Sequence, residues 1–271
     1  MPELPEIETI KRGLNKLIIG REILDITTNT PKQVKPSLKI VKKNMVGKRI
    51  KKLKRRAKLL QIFLDNGRIL TIHLRMTGRL LFRDKSDPVD DYQRAVISLS
   101  GGKELRFADL RKFGYLWLIK NKKELDKILN KFGPEPLADL TFSYFQKVLA
   151  STSRPVKVLL MDQSKISGIG NIYANDALFL ARLNPAKPAN QITFQKAKKL
   201  YDSIRQVLKA GIRYRGASDQ HYLDALGQKG NYQDHFLVYK RAGRKCFNCK
   251  GKIKRVTLGG RGTFYCPRCQ E

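Results

Sequence analysis

A proline follows Met1, and loss of that methionine would leave Pro2 with a free secondary amine. An α-amine ordinarily titrates near 8, far below a lysine, so a useful fraction is unprotonated at neutral pH. Attack of such an amine on a sugar C1′ would expel the base there and give an iminium, the Schiff-base form of covalent catalysis. Glu3 and Glu6 lie close by in sequence, and either could move protons as the sugar ring opens. The same segment also reads as an ordinary helix start. Pro5 suits a first turn, Glu6 and Glu8 complement the helix dipole, and Ile7, Ile10, Leu14 and Leu17 form an apolar stripe. Residue types alone leave both readings open.

A second cluster with chemistry sits at the other end. Cys246 and Cys249 are followed after sixteen residues by Cys266 and Cys269. Two CxxC knuckles at this separation suit tetrahedral Zn²⁺, each giving two thiolates with a hairpin between them. Two disulfides in a secreted mini-domain are the alternative, but the preceding 245 residues hold no cysteine and no signal peptide is evident. Residues 240–271 also carry ten Lys/Arg against one acid, so this hairpin is expected to touch phosphate.

The whole chain leans the same way. Its 271 residues contain 56 Lys+Arg and 23 Asp+Glu, and 56 minus 23 gives +33. An excess of that size points to a polyanionic partner, because neutralising phosphates releases condensed counterions. Glu3, Glu6 and Glu8 interrupt any secretory apolar core, and no eighteen apolar residues run together. A cytoplasmic protein is expected. With only His73, His221 and His235 available, a histidine-built metal site or triad has little to draw on.

The elements that must position these groups fall into two sets. Short apolar runs at 23–27, 59–64, 69–74, 80–83, 95–99, 105–107 and 115–119, with Asn66-Gly67 as a hairpin signal, predict a β-sandwich or barrel. The rigid stretch Lys131-Phe-Gly-Pro-Glu-Pro136 marks a boundary. Beyond it, helices are predicted from Phe142, Phe145, Val148 and Leu149, at 156–161, at 171–181, and from the face Phe194, Ala197, Tyr201, Ile204 and Leu208. Ten Lys/Arg without an acid between Lys42 and Lys58 read mainly as a solvated face. Gly168 and Gly170, entering a helix, could bring backbone N–H groups to a phosphate or make a tight helix–helix turn.

Several motifs, taken in order, resemble one family. Met1-Pro-Glu-Leu-Pro-Glu-Ile-Glu-Thr9 is similar to the amino terminus of the formamidopyrimidine-DNA glycosylases, base-excision repair enzymes for oxidised purines. Arg55-Arg-Ala-Lys58 resembles the motif of the family's β-domain lysine. His73-Leu-Arg-Met-Thr-Gly78 and Asp109-Leu-Arg-Lys-Phe-Gly114 resemble its wedge loops. Met161-Asp-Gln163 and Gly168-Ile-Gly-Asn-Ile-Tyr-Ala174 resemble its helix–two-turn–helix segment, and Gly259-Gly-Arg-Gly262 with Cys-Pro-Arg-Cys-Gln270 its zinc hairpin. Departures are Leu110 in place of a common Pro, Lys112 in place of Arg, and Thr77 where some members carry an acid. Arg215-Gly-Ala-Ser-Asp-Gln-His-Tyr222 is only loosely like the lesion-capping loop.

The resemblance implies an α+β fold. An N-terminal β-sandwich domain with an amino-terminal helix (1–131) leads through a linker (132–139) to a helix–two-turn–helix domain (140–235) and a zinc-binding β-hairpin (236–271). It implies a clamp on damaged duplex DNA, by a monomer in the bacterial cytoplasm associated with the nucleoid, with one structural Zn²⁺ on Cys246, Cys249, Cys266 and Cys269. The implied activity is that of a bifunctional glycosylase and AP lyase removing 8-oxoguanine and formamidopyrimidines, with β,δ-elimination. Pro2 inherits the nucleophile's role, Glu3 the principal proton transfer, Glu6 support of the terminus, and Lys58 phosphate binding and assistance to catalysis. Met76, Arg111 and Phe113 resemble the set that fills the hole left by an extruded base. Asn171 and Arg261 match phosphate-contacting positions, Arg261 counting with the catalytic set as well, and Lys157 is assigned to phosphate beside them. Two other functions fit parts of the pattern: a non-catalytic zinc-ribbon nucleic-acid-binding protein, and an endonuclease VIII-like glycosylase for oxidised pyrimidines, a branch that lacks this Met/Arg/Phe set.

Overall fold

The computed structural model describes residues 1–219 and 221–271; Gln220, inside the loosely matched 215–222 stretch, lies outside the described residues. Contacts divide the chain into two units, Met1–Asn130 with Tyr214–Asn231, and Lys131–Arg213 with Tyr232–Glu271.

In the first unit, α1 (Leu4–Ile18) precedes β1 (Ile23–Thr28), β2 (Val34–Lys35), α2 (Leu38–Met45), β3 (Ile50–Arg56), β4 (Leu59–Leu64), β5 (Ile69–His73), β6 (Gly78–Asp84), β7 (Gln93–Leu99), β8 (Lys103–Asp109), β9 (Tyr115–Ile119) and α3 (Lys122–Leu129). The strands form two sheets, ordered β1-β7-β8-β6 and β2-β9-β5-β4-β3. Ile26, Ile97, Leu105 and Leu80 of the first share one core with Leu60, Ile62, Ile72 and Leu116 of the second, joined by Ile7, Ile10 and Leu14 of α1. This is the expected β-sandwich with its amino-terminal helix. The apolar stripe of α1 supplies its hydrophobic fill and so fixes the start of the chain against the sheets.

Two features differ from the sequence reading. The basic run contains a full strand, β3, in which only Ile50 and Leu53 are buried and a register shift lies between Ile50 and Lys52. With the period-2 alternation broken by the bulge, lysines hid the strand. As an edge strand it gains from them, because Lys51, Lys52 and Lys54 are exposed and discourage pairing with another chain. The stretch Tyr214–Asn231, read within 140–235, groups with the first unit. Phe82 N–H donates to Ala225 at 2.7 Å, Arg79 Nε donates to the His221 carbonyl at 2.7 Å, and Tyr222 joins the sandwich core.

The second unit holds α4 (Phe142–Ala150), α5 (Val156–Leu160), α6 (Asn171–Leu180), α7 (Phe194–Arg213) and the hairpin β10 (Lys254–Leu258) with β11 (Arg261–Tyr265). Gly211 of α7 lies so close to Tyr173 of α6 that a Cβ there would come within 2.5 Å of the ring, which lets the two helices approach. Phe194, placed on the buried face by periodicity, is exposed and instead meets Phe142 edge to face at 5.5 Å.

Candidate active site and metal centre

Helix α1 begins with a reciprocal capping box between Glu3 and Glu6, in which Glu3 N–H donates to Glu6 Oε2 at 2.7 Å. Pro2, Glu3 and Glu6 are buried, behind a Met1 that is 46% exposed. Glu6 also reaches the 214–231 segment. Its Oε1 accepts from Ala217 N–H at 2.9 Å, and the Tyr222 hydroxyl donates to its carbonyl at 3.4 Å. Gly216 makes that approach possible, since it has φ +84° and a Cβ would sit 2.8 Å from Glu6 Cγ. The carboxylate expected to support the terminus therefore also anchors the segment resembling the capping loop.

Lys58 lies in the two-residue turn between β3 and β4 and is buried, an unusual place for a lysine. The turn is braced from α1. Glu8 Oε2 accepts from Arg55 Nε at 3.0 Å, and Arg55 Nη1 donates to the Ala57 carbonyl at 2.9 Å. Burial would raise the Glu8 carboxyl, but hydrogen bonds from Arg12 and Arg55 outweigh it and hold the group below its ordinary value. His73, whose Cα pairs with that of Leu59, is pushed down to about 3 by burial and by the Arg75 and Lys58 cations. Its ring is therefore neutral at physiological pH.

The two loops expected to fill a base-sized gap come together at one end of the sandwich. Arg111 and Phe113 are exposed and Met76 is half-buried; Arg111 Nη1 lies 3.2 Å from Met76 Sδ, and its guanidinium sits 4.8 Å from the Phe113 ring centroid. At 54% exposure, Phe113 is not a core residue. Beneath them Asp109 is 1% exposed and receives hydrogen bonds from both loops.

In the second unit, the side chain of Gln163 shapes the turn into α6, accepting from Gly168 N–H at 3.0 Å and donating to the Ile169 carbonyl at 2.8 Å. Gly168 takes φ +93°, and Gly170 caps Asn171. Lys157, expected at phosphate, is enclosed by protein groups. It is 0% exposed, and its Nζ donates to Asn171 Oδ1 at 2.6 Å, Thr263 Oγ1 at 2.7 Å and the Gly262 carbonyl at 3.2 Å. An ammonium has three hydrogens, and these three protein acceptors match them in number. Lys157 braces α5 to α6 and to the hairpin. Asn171 Nδ2 adds a bond to the Gly262 carbonyl at 3.1 Å, and an amide nitrogen carries a second hydrogen besides. Arg261 opens β11 and is exposed, directly after Gly259 and Gly260 at φ +54° and +70°, where a hairpin turn needs both residues left-handed.

The four cysteine sulfurs lie within 4.8 Å of one another, with Cys246 Sγ 3.9 Å from Cys269 Sγ and Cys249 Sγ 3.4 Å from Cys266 Sγ. Four thiolates at about 2.3 Å from a tetrahedral Zn²⁺ would be spaced about 3.8 Å apart, so the cage fits the ion.

From the sequence Glu8 was read only as complementing the helix dipole, Arg55 and Asp109 only as the first residues of quoted motifs, and Gln33 was not singled out. Asp109 left one trace: an Asp directly before a turn can accept the amide two residues on, and it does so from Arg111 N–H at 3.2 Å.

Comparison with known proteins agrees along the chain. Residues 1–116 match the formamidopyrimidine-DNA glycosylase N-terminal domain, 132–222 the H2TH domain of the same proteins, and 243–271 a zinc finger found in FPG and IleRS. A formamidopyrimidine-DNA glycosylase from Pelotomaculum thermopropionicum is 41% identical over 275 residues, covering 100% of this chain and 99% of that one. One from Bacillus cereus is 36% identical with the same coverage. Among solved structures, the Lactococcus lactis Fpg in complex with an abasic site containing DNA superposes with TM-score 0.94 at 34% identity, covering 99% of both chains. A complex of the wild-type enzyme of that organism with N7-benzyl-Fapy-dG containing DNA gives the same score and identity, with 100% coverage of each chain.

Proposed function

The chain belongs to the formamidopyrimidine-DNA glycosylase family, and from that premise we propose how it excises oxidised purines from duplex DNA and then cuts the strand as an AP lyase. The observation that carries the reading is the buried start of α1, where Pro2, Glu3 and Glu6 stand together and Glu6 reaches the Ala217 amide. Once Met1 is removed, the Pro2 nitrogen forms a bond to C1′ of the damaged nucleotide and the bond from C1′ to the base breaks. The amine's own proton passes to the departing base, and Glu3 gives a proton to the ring oxygen as the sugar opens, which leaves an iminium between Pro2 and C1′. Elimination of the 3′ and then the 5′ phosphate follows. Lys58, pinned through Ala57, Arg55 and Glu8, holds the phosphate beside the lesion.

Met76, Arg111 and Phe113 occupy the gap that an extruded base leaves, which offsets a cost of about a few kcal/mol. Asn171 and Arg261 bind phosphate. Cys246, Cys249, Cys266 and Cys269 hold one structural zinc that orders the hairpin bearing Arg261. No helix among the described residues is long and apolar enough to cross a membrane. We place the enzyme as a monomer on nucleoid DNA in the cytoplasm, where its substrate is.

Single-turnover excision tests the substrate class. Duplexes carrying 8-oxoguanine or a formamidopyrimidine are cleaved faster than matched duplexes carrying an oxidised pyrimidine. The opposite ranking assigns the chain to pyrimidine repair, and absence of cleavage on all of them makes it a binding protein.

Arg261 and Lys157 separate by their salt dependence. Arg261→Ala weakens binding to damaged and undamaged duplex alike and lowers the slope of log K against log salt by about one. Lys157→Met removes the buried donor to Asn171 Oδ1 and Thr263 Oγ1, so it lowers the melting temperature as well as affinity. A stable Lys157→Met protein whose only change is a slope smaller by about one would return Lys157 to the phosphate contacts.

A further inference from the structure

Two loops must hold one shape if Met76, Arg111 and Phe113 are to enter the DNA stack together, and they belong to separate segments, 73–78 and 109–114. We propose that Asp109 is a positioning residue that locks these loops into a single preformed wedge. The inference rests on the wedge reading of those three side chains. Asp109 closes β8, opposite Gly78 of β6, so its carboxylate lies where the two loops leave the sheet. Its Oδ1 accepts from the Thr77 hydroxyl at 2.5 Å and from Arg111 N–H at 3.2 Å. Its Oδ2 accepts from Gly114 N–H at 2.8 Å and from Gln33 Nε2 at 3.2 Å. Thr77 Oγ1 in turn accepts from Arg111 N–H at 3.0 Å, and Gln33 Nε2 also donates to the Gly114 carbonyl at 2.8 Å.

Each wedge residue is therefore either bonded to this centre or chain neighbour to a residue that is. Met76 precedes Thr77, Arg111 is held by its own amide, and Phe113 precedes Gly114. The loops need such a fixture, because each contains a non-glycine residue in the left-handed region, Arg75 at φ +52° and Lys112 at φ +57°. Strained backbone of this kind persists only where its surroundings over-determine it. A wedge ordered in advance does not have to be ordered at the moment of insertion, which is where a floppy one would lose rate. Thr77 acquires a reason here as well: a hydroxyl can donate to the carboxylate and accept an amide at once, which a second carboxylate in its ionised form cannot do.

The test compares two substrates in single turnover: a duplex with 8-oxoguanine opposite cytosine, which must be unpaired, and the same duplex with a preformed abasic site, which has no base to extrude. Thr77→Val is expected to slow excision of the lesion about tenfold and Asp109→Asn about a hundredfold, with abasic-site cleavage within about twofold of the parent. Thr77→Ser, which keeps the hydroxyl, restores the lesion rate. Equal losses on both substrates, or no loss on either, overturn the proposal; Thr77→Val supplies the answer even if Asp109→Asn does not fold. Phe113→Ala keeps the two claims apart. If it excises the lesion at the parent rate, the wedge reading fails. If it is slow while Thr77→Val and Asp109→Asn are not, only the positioning role of Asp109 fails.

Discussion

Pro2→Gly, prepared with Met1 removed, is expected to excise 8-oxoguanine at least about a hundredfold more slowly in single turnover than the parent, a barrier increase of about 2.7 kcal/mol. The variant keeps a terminal amine, but a primary one on an unconstrained residue. It loses the ring that fixes φ and points the lone pair ahead of the capping box at Glu3 and Glu6. Folding is expected to survive, because α1 is held by Ile7, Ile10, Leu14 and Ile18 rather than by the residue before its cap. Affinity for lesion-containing duplex is therefore expected to stay within about twofold, since no phosphate or base contact is removed. Rapid-quench kinetics beside a binding titration check both halves. A variant that binds and turns over like the parent removes Pro2 from the mechanism.

Cys249→Ala produces a different large effect, with metal and DNA binding lost together. Two buried and two half-buried thiols gathered within 4.8 Å are a poor arrangement without an ion. Zinc binding in small hairpin domains supplies roughly 10–16 kcal/mol of apparent folding free energy at neutral pH. The cage underlies a continuous packed region, in which Cys246, Cys266, Ile253 and Phe264 lie against Phe179 and Val238. Without zinc the Gly259-Gly260 turn is not held against Val158, the Lys157 ammonium loses Thr263 and Gly262, and Arg261 is no longer presented. Metal analysis is expected to fall from one zinc per chain to near none, and affinity for duplex by about a hundredfold, equivalent to about 2.7 kcal/mol. Full zinc content with parental affinity in Cys249→Ala would defeat the assignment.

Much of this was legible from the chain alone, for reasons that can be located. The sandwich showed because the runs that became β4, β5 and β9 are apolar on the faces that pack, and Asn66-Gly67 turns one into the next. The zinc cage showed because two CxxC knuckles admit few other arrangements. What stayed hidden depends on partners distant in sequence. Lys157 looked like one more cation in a basic protein, and nothing local says that Asn171, Gly262 and Thr263 close around it, up to 106 residues away. Asp109 was hidden the same way, since Gln33 and Thr77 reach it from other strands and loops. The Tyr214–Asn231 stretch has no periodic face of its own. Its place against the first unit is set by single contacts such as Ala217 to Glu6 and Phe82 to Ala225.

The central claim is that a terminal, unblocked proline amine is the nucleophile, and borohydride trapping on 8-oxoguanine duplex measures it most directly. Two forms of the full chain serve, one with Met1 removed and one retaining it, each confirmed by intact mass. In the retained form the Pro2 nitrogen is an amide, its lone pair delocalised into the Met1 carbonyl and not available for attack. The processed protein is expected to give a reduced covalent adduct that peptide mapping places on Pro2, while the Met1-retaining protein binds the same duplex and gives none. An adduct of equal yield in the Met1-retaining form would contradict the account. It would assign the nucleophile to a lysine, with Lys58 the first to map.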